Sequence, residues 1–159
     1  MRMSSRRRFL KQSGGAAVVG GVLAAGGAAQ AAHPEDHPTR RVVPGWLSKA
    51  YSRAVVYGDL AFIAGVVGVK PGTKEVPSDF KEEVRQTLDN LKASVEAAGS
   101  SLDRVLKCTV FLTEFELFAP FNEIYTTYFP KDPPARSTVV VKAIVVPGSH
   151  VEVDCVTTV

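Results

Sequence analysis

Three charged side chains sit in stretches that otherwise read as buried strand: Arg136, just ahead of the valine-rich residues 137–146, and Glu152 and Asp154 within residues 151–157. The two-residue period of a strand puts Glu152 and Asp154 on one face and Val151, Val153 and Cys155 on the other. If the valine face meets helices, the acids point away from them, into a cleft or a subunit interface. An arginine fork can grip a carboxylate with two parallel hydrogen bonds, and a carboxylate nearby can move a proton. A structural salt bridge among the same three residues is the competing reading from spacing alone.

Other chemistries have less support. The chain has no phosphate-binding Walker loop, no dinucleotide-binding glycine fingerprint and no Gly-x-Ser-x-Gly elbow. Of its three histidines, His33 and His37 fall in a Pro-broken polar stretch and His150 lies on a turn, which argues against a histidine-based triad. His33, Glu35, Asp36 and His37 could gather around a metal only by ordering a flexible segment, so they read as solvated linker, and no metal is expected. Cys108 and Cys155 lack metal-ligand spacing and lie in strand-like runs, where cysteine behaves as a small buried apolar residue.

The elements that must position Arg136 and Glu152 follow from periodicity. Residues 54–57 and 60–64 are strands around the turn Gly58-Asp59. Val84, Leu88, Leu91, Val95 and Ala98 recur at steps of four and three, a helical stripe opened by the capping box Asp79-x-x-Glu82 and closed by Gly99. Residues 105–112 are a strand with Leu106, Cys108, Val110 and Leu112 on one face. A second helix is expected over about 116–129, with Pro120 in its first turn. Residues 137–146 and 151–157 are the last strands. The order β-β-α-β-α-β-β predicts an α+β layer, two helices on one face of a mixed sheet. Apolar residues on both faces of strands such as 138–141 call for a further partner on the other side, and another copy of the chain is the natural one.

The first 31 residues are different in kind. They carry Arg2, Arg6, Arg7, Arg8 and Lys11 and no acid, whereas residues 32–159 hold 14 basic against 16 acidic side chains. The positive charge of the whole chain therefore belongs to this segment and is no argument for nucleic-acid binding; no nucleic-acid partner is expected. Ser5-Arg6-Arg7-Arg8-Phe9-Leu10-Lys11 resembles the twin-arginine export consensus, and a mildly apolar stretch at 14–29 leads to Ala29-Gln30-Ala31. The stretch is short of the ~20 residues that span a bilayer. The expected organisation is a twin-arginine signal peptide at 1–31, cleaved near Ala31 after engaging the Tat machinery, a linker at 32–48, and one domain at 49–159 acting in the periplasm or otherwise outside the cytoplasm.

Three stretches carry a resemblance. Pro134-Ala135-Arg136-Ser137, Phe118-Ala119-Pro120-Phe121-Asn122-Glu123-Ile124-Tyr125, and the helix from Val84-Arg85-Gln86-Thr87-Leu88-Asp89-Asn90 to Glu96-Ala97-Ala98-Gly99 resemble the Rid family, the reactive intermediate deaminases also called RidA/YjgF. The similarity runs over about residues 51–156 with the motifs in the same order. It implies a chorismate-mutase-like α+β fold, a homotrimer with a central sheet barrel and clefts between subunits, and a cofactor-free hydrolysis of 2-imino acids and enamines to 2-keto acids and ammonia. By the same resemblance Arg136 is the carboxylate-binding arginine and Glu152 the acid that positions or activates water. Tyr51 and Asn122 stand beside the site, and the backbone at Gly65 and Thr138 lines it.

The chain also departs from the family pattern. Lys49-Ala50 replaces Gly-Pro before the tyrosine, Ala64-Gly65-Val66 replaces Ser-Gly-Gln, and Thr138 stands where cysteine is frequent. These changes predict a less polar pocket and a bulkier or more apolar imino acid. Two readings follow: an exported imine and enamine deaminase, or a non-catalytic exported trimer that binds small carboxylates through Arg136. A chaperone-like surface, third in order, has no distinctive sequence feature.

Overall fold

The computed structural model describes residues 38–45 and 49–159. The signal segment, its cleavage region and the histidines of the linker lie outside the described residues.

Six strands and two helices make the domain: β1 (Arg40–Val43), β2 (Ala54–Tyr57), β3 (Leu60–Val67), α1 (Phe80–Ala97), β4 (Val105–Leu112), α2 (Phe118–Tyr128), β5 (Ala135–Val140) and β6 (Val151–Thr158). They form one sheet in the order β1-β2-β3-β6-β4-β5, antiparallel except for the β4–β5 pair. That pair is joined through α2, the crossover a parallel connection needs.

The α1 stripe behaves as its spacing demands: Val84, Leu88, Leu91, Val95 and Ala98 are all buried against the sheet. Burial of each Val or Leu contributes roughly 1.5–3 kcal/mol before entropy is counted. Asp79 accepts from the Glu82 backbone N–H at 2.9 Å, but Glu82 turns its carboxylate to Arg85 instead of completing the box. At the other end Gly99 adopts φ +93°, and the N–H groups of Gly99 and Ser100 bond back to Glu96 and Val95. This closes the helix in a Schellman motif, which needs a left-handed residue where Gly99 stands.

Three local expectations are corrected. Residues 40–43, read as linker, form the edge strand β1 by pairing with β2, and Arg41 donates to the Ala98 carbonyl at 2.6 Å. Leu106 is exposed, not on the core face, because the β4–β6 register slips by one residue between Val105 and Lys107. That bulge gives the inward position to Val105. The strand expected over 137–146 is instead Ala135–Val140; the Val141 N–H makes a last bond to the Leu112 carbonyl at the end of β4, and the chain then turns away as a loop. Helix α2 starts at Phe118, after a single 3-10 turn at Phe115–Leu117, which leaves Pro120 in its first turn.

Both helices pack on one sheet face. The opposite face carries Tyr57, Leu60, Phe62 and Val139 exposed, together with half-buried Phe111 and Val156. It is bare on a single chain, with Lys107, Thr109, Glu152 and Asp154 set among these apolar side chains.

Candidate functional site

Strand β6 alternates as expected, with Val151, Val153 and Cys155 buried and Glu152 and Asp154 half-buried on the bare face. Glu152 pairs in register with Phe111 of β4 and Val67 of β3. Between Ile63 and Val66 strand β3 carries one extra residue against β6. This bulge brings Gly65 under the Glu152 side chain, where any Cβ would sit 2.9 Å from the carboxylate carbon. Burial, and secondarily the charge of Asp154, push the Glu152 carboxyl above its ordinary pKa. Glu152, Gly65 and Tyr51 line one depression of about 380 Å³, together with Val145 and Val146 of the 141–150 loop.

Arg136 lies elsewhere. In the β4–β5–β6 register it aligns with Cys108 and Cys155, residues of the helix-covered face. Its guanidinium donates to Asn122 Oδ1 at 2.7 Å and stacks on the α2 aromatics, with 4.5 Å to the Tyr125 ring centre, 5.5 Å to Phe121 and 5.7 Å to Phe118. Cation–π contact and the amide oxygen fix the plane of the fork. Arg136 and Thr138 line a second depression, of about 400 Å³, with Phe115, Phe118 and Val140 around them.

The six sequence candidates thus divide into two groups. Arg136, Asn122 and Thr138 come together beside α2; Glu152, Gly65 and Tyr51 come together on the bare face. Two strand spacings and three residues of register separate the Cα atoms of Arg136 and Glu152 by about 14 Å, with the side chains on opposite faces. The arginine with a carboxylate close by, as read from the sequence, is not formed within one chain. The expected salt bridge among Arg136, Glu152 and Asp154 is absent among the described residues for the same reason.

Two buried polar residues of α1 hold the Glu152 side in place, and neither was singled out in the sequence. Glu83, fully buried, accepts from the backbone N–H of His150 at 2.6 Å and of Val151 at 3.3 Å, and contacts His150 Nδ1 at 2.9 Å. Asn90 donates to the carbonyls of Val67 and Val69. A carboxylate and an amide inside an apolar stripe were the available signal. Phe115 and Val145 were missed as well, because each acquires its position from a loop. No group of three or more His, Cys, Asp or Glu among the described residues could hold a metal ion.

This arrangement can be set beside known proteins. The family described as Endoribonuclease L-PSP matches residues 47–159. The chain belongs to that family. A RutC family protein of Pyrococcus horikoshii is 45% identical over 95 residues, covering 59% of this chain and 75% of the relative. Protein HMF1 of Saccharomyces cerevisiae is 40% identical over 95 residues, covering 60% and 74%. Among solved structures, RidA from Psychrobacter sp. PAMC 21119 superposes with a TM-score of 0.68 at 36% identity, covering 74% of this chain and 94% of that one. The YjgF gene product of E. coli gives 0.64 at 35%, covering 68% and 87%. The α+β architecture read from the sequence is that of these L-PSP/YjgF neighbours.

Within the L-PSP family the departures at 64–66 act unequally. Ala64 lines the Glu152 depression. Val66 pairs with Val153 and is buried in the core beneath the helices, because the bulge turns it inward. Its side chain does not shape the depression, contrary to the sequence expectation.

Proposed function

We propose that this L-PSP family protein hydrolyses reactive 2-imino acids and their enamine tautomers to 2-keto acids and ammonia, in clefts between the subunits of a homotrimer. One observation carries the reading: Arg136 and Glu152 occupy two open, one-sided depressions of similar volume on opposite faces of the sheet. Each is half a site. Docking the bare face of one copy against the β5 edge of the next would join an Arg136 half to a Glu152 half and bury the exposed Phe62, Tyr57 and Val139.

In such a cleft Arg136 grips the substrate carboxylate, with its fork held by Asn122 and the α2 rings. Water adds to C2 of the imine and the nitrogen takes up a proton; the carbinolamine then collapses, its C–N bond breaks, and one ammonia and one 2-keto acid leave for each water consumed. Glu152 moves the protons. A carboxyl with a raised pKa is suited to this, since it can both accept a proton from water and return it to the departing nitrogen. The enamine enters the same path after protonation at C3.

We propose further that the twin-arginine segment exports the protein and is removed near Ala31. The non-catalytic alternative is favoured by the Arg136 half, whose guanidinium is oriented by Asn122 with no part played by Glu152.

The deciding experiment generates imines in situ with an amino-acid oxidase and measures keto-acid release while semicarbazide competes for the imine. Acceleration by the protein that disappears in Arg136→Ala and Glu152→Gln supports the deaminase. Carboxylate binding without acceleration for any imine would overturn it in favour of the binding trimer.

A further inference from the structure

Both half-sites are walled by hydrocarbon. Besides Arg136 and Thr138, the first depression presents Leu112, Phe115, Phe118 and valines; the second presents Ala64, Val67, Val145 and Val146 around Glu152 and Tyr51. The charged groups are one cation and one acid, and the deaminase reading already uses both. What remains to meet a substrate side chain is apolar.

Exposure points the same way. Val145 at 94% and Phe115 at 73% are the most exposed large apolar side chains among the described residues. Phe115, on the turn before α2, lines the Arg136 half-site; Val145, on the 141–150 loop, lines the Glu152 half-site on the bare face. A large apolar side chain held at the mouth of a polar-floored depression, outside the core, has a function to explain it when a ligand covers it.

We propose that the substrates are 2-imino acids carrying a large apolar side chain, branched aliphatic or aromatic, and that Phe115 is a specificity-determining residue that packs on that side chain. The inference rests on the intersubunit cleft assigned above and adds the substrate class to it. An imine derived from alanine offers these walls only a methyl group and leaves them wet. One derived from leucine or phenylalanine covers them while its carboxylate stays on Arg136. In a fitted apolar pocket each methylene discriminates by about 10- to 200-fold.

The test uses the full chain and two readouts. In the first, kcat/KM is compared for imines of alanine, leucine and phenylalanine; the larger two are expected to exceed the first by at least about tenfold, and Phe115→Ala to shrink that ratio by about tenfold. In the second, calorimetry compares the unreactive acids propanoate, 4-methylpentanoate and 3-phenylpropanoate, with Arg136→Ala as control. Phe115 is exposed, so its replacement leaves the fold intact. If no imine is turned over but the larger acids bind more tightly through Arg136 in a Phe115-dependent way, the deaminase reading fails and the side-chain selection stands. Turnover or binding that ignores side-chain size, or a size preference untouched by Phe115→Ala, overturns the inference; absence of any carboxylate binding overturns both.

Discussion

Gly65 and Glu152 share one volume: the space where a side chain on Gly65 would begin is filled by the Glu152 carboxylate, whose Cδ and Cγ lie 2.9 and 3.2 Å from the site of a Cβ. Gly65 has no unusual backbone angle, so the requirement is room, not conformation. Gly65→Ala is therefore expected to push the carboxylate aside. Because the clash is with the far end of a flexible side chain, thermal unfolding should move by less than about 1–2 kcal/mol. Steady-state deaminase kinetics should nevertheless show kcat falling by about 100-fold, the scale of a misplaced proton-transfer group. Unchanged kcat would remove Glu152 from the chemistry.

The raised pKa of Glu152 has a stability consequence with a definite sign. The folded chain holds the proton more tightly than the unfolded one, so this group's contribution is favourable below the ordinary glutamate pKa of about 4.3 and is lost as pH rises through the folded value. Glu152→Gln removes the titration. Denaturant melts at several pH values should show the variant gaining on the parent as pH climbs through that window. A parent–variant difference independent of pH would contradict the proposed environment.

Glu83 should matter through the backbone it holds. Glu83→Leu strands the N–H groups of His150 and Val151 in the interior and is expected to cost about 2–4 kcal/mol in urea denaturation. Glu83→Gln keeps an acceptor oxygen and should recover most of that. Equal destabilisation by both would mean that charge, not hydrogen bonding, is what the site requires.

Cys108 and Cys155 face each other in register across β4 and β6, both buried and both free. Burial, the largest cause in each case, pushes both thiols up and keeps them protonated and unreactive. Thiol titration near pH 8 should find almost none in the native protein and two after unfolding. Rapid native labelling would show that the α2 layer opens far more readily than its packing implies.

The parts legible in the sequence were those that a short window determines. The α1 stripe, its Asp79 and Gly99 ends, and the alternation of β6 follow from side-chain period and local capping alone. Arg136 and Glu152 stood out as charges in apolar strands, the other site residues came from motif resemblance, and the structure sorts them into two groups that spacing could not have revealed. Which face Arg136 takes depends on its register with Cys108, a residue 28 positions away, and Val66 turns inward through a bulge defined only against β6. Strand β1 is similar: four residues next to prolines become a strand because β2 offers them an edge.

The opposite orientation of Arg136 and Glu152 also has a genetic meaning. In the proposed ring every site draws its arginine from one subunit and its acid from the next, so two different inactive proteins can repair each other. Co-expressed Arg136→Ala and Glu152→Gln chains, each dead alone, would form mixed rings in which one junction unites two intact halves. Random assembly in equal amounts would restore about a quarter of the parental activity. By the same logic a single defective allele damages junctions it only half owns, so the inheritance of activity follows junctions between chains, and no chain carries a site of its own.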